Sequence, residues 1–268
     1  MIFPYQPKKS LGQNFLVDEN IINKIVSIGN INKDKTVLEI GAGYGNLTKK
    51  ILAKNPHKIL VIEKDKNLFS FIKENFSNLK NIKLFNSDIL KIIENNTLGK
   101  KIIVYGNLPY NISTQILAKF ILLKKWPPWY DNLILMFQKE VAERIIAKKN
   151  TKNFGRLSIL CNWRLEIEKH FDVSKNCFYP KPKVNSTVLS FKPKKNYEFY
   201  LKDPKILEFI TRILFSNRRK MINKNFSKLF KNSIDVAREL ELDLNCRPEQ
   251  LNNEIYYKIA KKYENLLG

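Results

Sequence analysis

The feature that most constrains the fold is an apolar stretch that runs directly into three closely spaced glycines. Thr36–Ile40 has the composition of a strand buried on both faces, and Gly41-Ala42-Gly43-Tyr44-Gly45 follows it and leads into an amphipathic helix. A strand, a glycine turn and a helix N-terminus form the nucleotide-type site of doubly wound α/β folds. The spacing GxGxG, rather than GxGxxG, favours a small, closely packed cofactor over the pyrophosphate of a dinucleotide. Because glycine-rich turns are common, this motif alone does not identify the ligand.

Two further predicted strands end in acidic side chains. Glu63 lies 22 residues beyond Gly41, where an acid binds ribose hydroxyls in this architecture. Asp88 and Ile89 follow the predicted strand Ile82–Phe85 and suit an adenine ring, with the carboxylate accepting the amino hydrogens and Ile89 packing on the ring face. Either carboxylate alone could instead cap a helix. The three strand ends together indicate the cofactor site of a class I methyltransferase that uses S-adenosylmethionine.

A fourth predicted strand, Ile102–Tyr105, breaks into Asn107-Leu108-Pro109-Tyr110. Proline restricts the residue before it, so the Leu108 carbonyl is held in an extended geometry. An amide oxygen and a fixed carbonyl can accept both hydrogens of one exocyclic amine while the tyrosine ring stacks on the base. The motif therefore predicts a pocket for the N6 amino group of an adenine, although an ordinary strand-to-helix turn could have the same residues.

Charge narrows the class of partner. The chain has 48 Lys and Arg against 25 Asp and Glu, a formal net charge of +23. Such a surplus favours a polyanion, either nucleic acid or an anionic membrane. The alternative is a compositional bias towards Lys, Asn and Ile, with many lysines that only solvate the surface.

Other counts exclude several classes of protein. No stretch approaches the roughly 20 apolar residues that span a membrane, and Met1–Lys9 lacks the apolar run of a signal peptide, so we expect a cytoplasmic protein. Cys161, Cys177 and Cys246 are odd in number and far apart. Neither a disulfide framework nor a metal site is therefore expected.

The rest of the chain completes the predicted fold. Leu133–Phe137 resembles a fifth buried strand, and Ser186–Phe191 alternates as a last, antiparallel strand. The predicted class is α/β, a Rossmann-like, mostly parallel methyltransferase sheet with a small C-terminal α-helical domain. We expect residues 1–192 to bind S-adenosylmethionine and carry catalysis, and residues 193–268 to bind RNA through Arg218-Arg219-Lys220.

An ordered set of motifs runs nearly end to end and is far more specific than a lone GxGxG. Besides the glycine turn, these motifs are Leu11-Gly12-Gln13-Asn14-Phe15-Leu16, Asn107-Leu108-Pro109-Tyr110-Asn111-Ile112-Ser113, Gln138-Lys139-Glu140-Val141-Ala142-Glu143-Arg144, Gly155-Arg156-Leu157-Ser158, Phe178-Tyr179-Pro180-Lys181-Pro182-Lys183-Val184-Asn185-Ser186 and Asn217-Arg218-Arg219-Lys220. With this set the chain resembles the ribosomal RNA adenine dimethyltransferases, which dimethylate adenines of small-subunit ribosomal RNA.

The resemblance implies a set of site residues. Those implied around S-adenosylmethionine are Asn14, Leu16, Gly41, Glu63, Asp88 and Asn107, to which the patterns above add Gly43 and Ile89. The segment Leu11–Leu16 would lie back over the site. Phe178 would face the target base opposite Tyr110, unless it anchors a loop in the core. The implied substrate is a pair of adjacent adenines in a loop of 16S ribosomal RNA, within a 30S assembly intermediate, for an enzyme that acts as a monomer.

These residues predict a mechanism without a general base. The Asn107 side-chain oxygen and the Leu108 carbonyl would accept the two amine hydrogens and favour a pyramidal, more nucleophilic nitrogen. Tyr110 and Phe178 would hold the base, so positioning and electrostatics would carry the rate.

Three alternatives share parts of this pattern. The related large-subunit enzymes of antibiotic resistance typically have Asn-Ile-Pro-Tyr and lack the Asn217–Lys220 motif. DNA adenine methyltransferases usually have Pro-Pro-Tyr after the Asp or Asn, so Leu108 is a mismatch. A non-catalytic RNA-binding factor for ribosome assembly or organellar transcription could retain the fold, although an intact cofactor site argues against it.

Overall fold

A computed structural model of the chain describes residues 5–8, 11–95 and 98–267. Lys9 and Ser10, just before the segment Leu11–Leu16 that we call the lead-in, lie outside the described residues. The chain forms two compact units. The first contains Met1–Phe120, Pro128–Ala142 and Ile167–Pro193, and the second contains Ile121–Pro127, Glu143–Glu166 and Lys194–Gly268.

The first unit is built on a seven-stranded sheet. The strands of the whole chain are β1 (Phe15–Leu16), β2 (Thr36–Ile40), β3 (Lys58–Glu63), β4 (Ile82–Asn86), β5 (Ile102–Asn107), β6 (Tyr130–Gln138), β7 (Leu165–Val173), β8 (Phe178–Tyr179) and β9 (Ser186–Pro193). The order in the large sheet is β4-β3-β2-β5-β6-β9-β7. Strands β2 to β6 pair in parallel, and β9 runs antiparallel to β6. The predicted parallel sheet with an antiparallel last strand is confirmed.

The strand order places a ligand crevice in the middle of the sheet. From β2 the chain builds outward through β3 and β4, then returns to place β5 on the other side of β2, with Ile40 beside Gly106. In open α/β sheets the connections diverge at such a switch point and leave a crevice at the carboxyl ends of the strands.

Helices cover the sheet and complete the first unit. They are α1 (Glu19–Ile28), α2 (Asn46–Leu52), α3 (Lys66–Phe76), α4 (Ile89–Ile92), α5 (Ser113–Ile121) and α6 (Lys139–Ile145). Asp18 caps α1, and its Oδ1 accepts from the Ile21 N–H at 3.0 Å. Ile22, Ile25 and Val26 of that helix are buried.

The second unit is helical. It contains α7 (Arg156–Arg164), α8 (Lys205–Leu214), α9 (Asn223–Phe226), α10 (Ser233–Glu239) and α11 (Asn253–Leu267). The predicted boundary at residue 192 lies one residue from the last change of unit, at Pro193. The second unit also includes residues 143–166, because α7 packs on α8 and α11. No helix in the described part of the chain has the length and apolar character needed to cross a membrane.

Three strands were not predicted. Strand β7 has Glu166, Glu168 and Lys169 in its sequence and lies at the edge of the sheet, where charged side chains are common. Strands β1 and β8 pair only with each other and form a two-residue ribbon, too short for a periodic pattern.

Candidate active site

A cleft of about 1020 Å³, open to solvent, lies at the carboxyl ends of the first unit's parallel strands. Its walls include the ends of β2, β3, β4 and β5, together with the lead-in from Leu11 to Phe15. The structure thus brings the four predicted strand ends together around one cavity.

The glycine turn forms the floor of the cleft. Gly41 and Gly43 have φ angles of +73° and +58°, in the left-handed region that favours glycine. A Cβ on Gly41 would meet no atom within 4 Å, whereas one on Gly43 would lie 2.7 Å from the ring of Phe15. Gly43 therefore allows the lead-in to approach the turn, and the space above Gly41 faces the cleft.

Glu63, at the end of β3, is held by backbone donors. Its Oε2 accepts from the Gly43 N–H at 3.1 Å and its Oε1 from the Asp65 N–H at 2.8 Å. The residue is only 7% exposed. Burial raises the pKa of Glu63, and the nearby Asp65 carboxylate adds to the rise, while the backbone hydrogen bonds oppose it. The carboxylate is oriented at the cleft wall and can accept further hydrogen bonds from a ligand.

Asp88 both lines the cleft and caps a helix. Its Oδ1 accepts from the Leu90 N–H at 2.9 Å, at the start of α4, and its Oδ2 lies 2.9 Å from Lys64 Nζ. Burial alone would raise the pKa of Asp88, but the bonds from Lys64 and Leu90 hold that pKa below its ordinary value. Ile89, the next residue, is buried at the same wall. The helix-capping alternative is thus confirmed, and the same side chain also lines the cleft.

Asn107 ends β5 with a defined amide orientation. Its Nδ2 donates to the Asn14 carbonyl at 2.9 Å. The amide oxygen consequently lies on the other side of the group, and among the described residues no donor reaches it. Leu108, Pro109 and Tyr110 line the same cleft, which also includes Gly41, Glu63 and Asp88.

The Tyr110 ring is fixed at its far end. Its hydroxyl lies 2.7 Å from the Ser186 hydroxyl, on the first residue of β9, and the Ser113 hydroxyl donates to the Tyr110 carbonyl at 3.2 Å. Burial raises the pKa of Tyr110, so the phenol is neutral at physiological pH. A neutral ring pinned at its hydroxyl group presents its face as a stacking surface.

The structure does not bring Leu16 and Phe178 to the main cleft. Leu16 lines a second cavity of about 520 Å³ under the glycine turn. Phe178 is 4% exposed and packs with Leu16 and Val188 in the core, because β8 pairs with β1 and turns this side chain inward. The geometry of Phe178 is that of the loop-anchor alternative, and its contact with a base stays a prediction.

Sequence reasoning missed the residues that hold the lead-in over the site. Asp65 caps α3 and also lies 2.7 Å from Lys8 Nζ, and Gln13 donates to it at 3.4 Å. Burial would raise the pKa of Asp65, but the bonds from Lys8, Leu68 and Asn67 lower it. Asp65 lies two residues beyond Glu63, so the run Glu63-Lys64-Asp65 was the available signal.

Glu39 is a further carboxyl group that the patterns did not single out. It is 1% exposed within β2, lines the cavity under the glycine turn, and accepts from the Thr48 hydroxyl at 2.6 Å. Burial raises the pKa of Glu39 to about 8, against the effect of the Thr48 hydrogen bond. The acid is therefore largely protonated at neutral pH.

In the second unit, one of the three predicted RNA contacts is already paired. Arg218 Nε lies 2.7 Å from Glu249 Oε2, whereas Arg219 and Lys220 are exposed. Within the described residues, no group of three or more His, Cys, Asp or Glu side chains could hold a metal ion.

Comparison with known proteins places the chain in a family. The ribosomal RNA adenine dimethylase family matches residues 5–265. The ribosomal RNA small subunit methyltransferase A of Pelagibacter ubique is 52% identical over 261 residues, covering 97% of this chain and 98% of that protein. The protein of the same name from Wolbachia pipientis wMel is 36% identical and covers 99% of this chain and 92% of its own length.

Solved structures agree on the fold. A dimethyladenosine transferase from Plasmodium falciparum superposes with a TM-score of 0.75 at 28% identity, covering 91% of this chain and 95% of that one. The 23S rRNA methyltransferase ErmE superposes with a TM-score of 0.66 at 21% identity, covering 94% and 99%, and at that identity it shares the fold alone. The chain therefore belongs to the ribosomal RNA adenine dimethylase family of methyltransferase enzymes.

Proposed function

We propose that this enzyme transfers methyl groups from S-adenosylmethionine to N6 of two adjacent adenines in a loop of 16S ribosomal RNA during small-subunit assembly in the cytoplasm. One observation carries the proposal. The Asn107 amide is oriented by Asn14 so that its oxygen has no partner among the described residues, in the same cleft as Glu63 and Asp88.

The cleft divides into two parts with different chemistry. The donor half consists of Gly41, Gly43, Glu63, Asp88 and Ile89, at the ends of β2 to β4. The acceptor half consists of Asn107, Leu108, Pro109 and Tyr110, at the end of β5.

The donor half fits S-adenosylmethionine. The open space above Gly41 admits a ligand against the glycine turn. Glu63 can accept hydrogen bonds from the ribose hydroxyls. The Asp88 carboxylate can accept a hydrogen bond from the adenine amine, and the buried Ile89 can pack on the face of the adenine ring. When bound, this cofactor supplies an electrophilic methyl group on a sulfonium. Because a sulfonium is cationic, the ionised Asp88 and Glu63 also favour it through charge.

The acceptor half fits an extruded adenine. Its N6 lone pair is delocalised into the ring and is a poor nucleophile. When the Asn107 oxygen and the Leu108 carbonyl accept its two hydrogens, the nitrogen becomes more pyramidal and its lone pair points towards the donor half. That lone pair would form the new N–C bond while the S–C bond of the sulfonium breaks and leaves its electron pair on sulfur, and the surplus proton on nitrogen would be released to water. A purine stacked on Tyr110 must leave its helix, which favours a loop of structured RNA.

Small-subunit RNA is the substrate that the comparisons favour. The relatives that are 52% and 36% identical are named small subunit methyltransferases, whereas the large-subunit enzyme shares only the fold. We extend the proposal to a monomeric enzyme that acts on a 30S assembly intermediate, with Arg219 and Lys220 near RNA phosphates.

The test is mass spectrometry of ribosomal RNA. Small and large ribosomal subunits from cells that lack this gene are each incubated with the purified protein and S-adenosylmethionine that has an isotopically labelled methyl group. We expect labelled N6,N6-dimethyladenosine in 16S RNA and none in 23S RNA. Label in 23S RNA alone would support the antibiotic-resistance alternative. Cofactor binding without label in either RNA would contradict methyl transfer to ribosomal RNA.

A further inference from the structure

An exposed segment of the first unit, the 179–185 loop, joins two parts of the active site. It begins at Tyr179, which pairs with Phe15 in the β1–β8 ribbon, and it ends before Ser186, which bonds to the Tyr110 hydroxyl at 2.7 Å. Phe15 lines the cleft. The loop therefore connects the ribbon that contains Phe15, a residue of the cleft wall, to Ser186, the residue that fixes the Tyr110 ring.

Tyr179 presents an aromatic surface at one end of this loop. It is 44% exposed, while the preceding residue, Phe178, is buried, as expected for alternation along a strand. Residues opposite each other in an antiparallel pair share a face, so Tyr179 lies on the same face as Phe15. The Phe15 ring in turn packs edge-on against Tyr44, with centroids 4.6 Å apart.

The middle of the loop is basic. Lys181 and Lys183 are exposed, and no carboxylate of the described chain forms an ion pair with either. In contrast, Lys139 and Lys169 near the base of the loop both pair with Asp172, at 3.2 and 2.9 Å. The two loop lysines are thus available to a phosphate backbone.

The loop is also restrained before any ligand binds. Pro180 and Pro182 restrict its backbone. At its end, Asn185 accepts from the Lys175 N–H at 3.0 Å and from the Lys139 N–H at 2.9 Å. A restrained loop loses less conformational entropy on binding than a flexible one.

We infer that the 179–185 loop is a docking surface for the unpaired RNA strand beside the target adenine. Tyr179 stacks on a neighbouring base, and Lys181 and Lys183 contact the phosphates that link it to the target. An aromatic ring followed by unpaired cations is how single strands are bound without readout of their sequence. The inference rests on the proposed function, because it takes the target base to lie on Tyr110.

The experiment measures RNA binding of the full-length protein by fluorescence anisotropy. The probe is a labelled oligoribonucleotide hairpin with two adjacent adenines in its loop. We expect Tyr179→Ala to weaken binding by about 5- to 150-fold, and Tyr179→Phe, which keeps the ring, to bind nearly as the parent. We expect the double variant Lys181→Gln/Lys183→Gln to lower the slope of log affinity against log salt by roughly 1.4, at about 0.7 for each phosphate contact.

Lys54→Gln is the matched control, since Lys54 is exposed and precedes the amino end of β3, opposite the carboxyl ends where the cleft lies. Unchanged binding and salt slope in the loop variants would overturn the inference, as would an equal effect of Lys54→Gln. Affinity for S-adenosylmethionine, measured by calorimetry, should be the same in all variants, and its loss on loop substitution would also overturn it. Methylation of the RNA by the unsubstituted enzyme tests the proposed function separately.

Discussion

The two halves of the cleft hold their functional groups in different ways. In the donor half, Glu63 and Asp88 are acids whose oxygens already accept bonds from backbone N–H groups or a lysine. In the acceptor half, Asn107 and Tyr110 are neutral, and each is fixed by one hydrogen bond at the end away from the proposed base.

This difference fits the roles that we propose for the two halves. A cationic cofactor is bound well by oriented carboxylates, which cost little to reorganise because the backbone already holds them. A nucleophilic amine needs partners that accept its two hydrogens and leave its lone pair free, and an amide oxygen and a backbone carbonyl meet that need. Substitutions in the donor half should therefore change cofactor affinity, and those in the acceptor half should change the rate of transfer.

The largest effect is expected for Asn107→Ala. Loss of one acceptor for the amine should lower the single-turnover rate at saturating S-adenosylmethionine by about 10²-fold or more, as for other oriented electrostatic groups. Asn78→Ala, at an exposed position between α3 and β4 that does not line the cleft, is the control and should keep the parent rate. A normal rate for Asn107→Ala would remove the acceptor half from the mechanism.

Glu63→Gln should lower the affinity of the enzyme for S-adenosylmethionine. The new amide places a donor against the Gly43 or Asp65 N–H, so we expect S-adenosylmethionine to bind about 10- to 100-fold more weakly by calorimetry. Glu74→Gln, on an exposed position of α3, is the control.

The pH dependence of that affinity gives a second readout. Since burial raises the pKa of Glu63, the parent should lose affinity as the pH falls through that raised pKa, because the ionised form binds the ribose. Glu63→Gln should be flat over the same range. An equally steep decline in the variant would assign the pH effect to another group.

Glu39→Gln should change stability instead. The folded pKa of Glu39 is about 8 against an ordinary 4.5, so its contribution to stability is full below pH 4.5 and is lost as the pH rises through 8. The neutral glutamine avoids this loss. We expect the variant to gain about 4 kcal/mol of unfolding free energy relative to the parent between pH 5 and pH 8.5. Chemical denaturation at both pH values measures the gain, and a pH-independent difference would contradict the buried neutral acid.

The smallest effect is expected for Ser186→Ala. It removes the bond that fixes Tyr110 but leaves the ring, so transfer should slow by about 3- to 10-fold. Tyr110→Phe removes the same bond and should match it. If the hydrogen bond is the shared cause, the double variant should be no slower than either single variant. Additive losses would show that the two hydroxyls act separately.

Much of this site followed from the sequence because it sits on strand ends. Glu63, Asp88 and Asn107 each follow an apolar stretch, and parallel strands bring their carboxyl ends to one edge. Asn14 was placed by resemblance, and its contact to Asn107 spans 93 positions, which no local pattern encodes.

Where prediction and structure differ, pairing between distant segments decides the outcome. The inward turn of Phe178 depends on a two-residue ribbon with Phe15–Leu16, and the pairing of Arg218 depends on Glu249, 31 positions later. In both cases the partner is too distant in sequence to produce a periodic pattern around Phe178 or Arg218.

The most direct test is the dependence of the single-turnover rate on S-adenosylmethionine concentration, compared between Glu63→Gln and Tyr110→Ala. The division into halves predicts that a saturating concentration of S-adenosylmethionine restores the single-turnover rate of Glu63→Gln to that of the parent. It predicts that Tyr110→Ala stays about 5- to 150-fold slower at any cofactor concentration, since a lost base stack is worth roughly 1–3 kcal/mol. Restoration of Tyr110→Ala by cofactor, or failure to restore Glu63→Gln, would contradict the account.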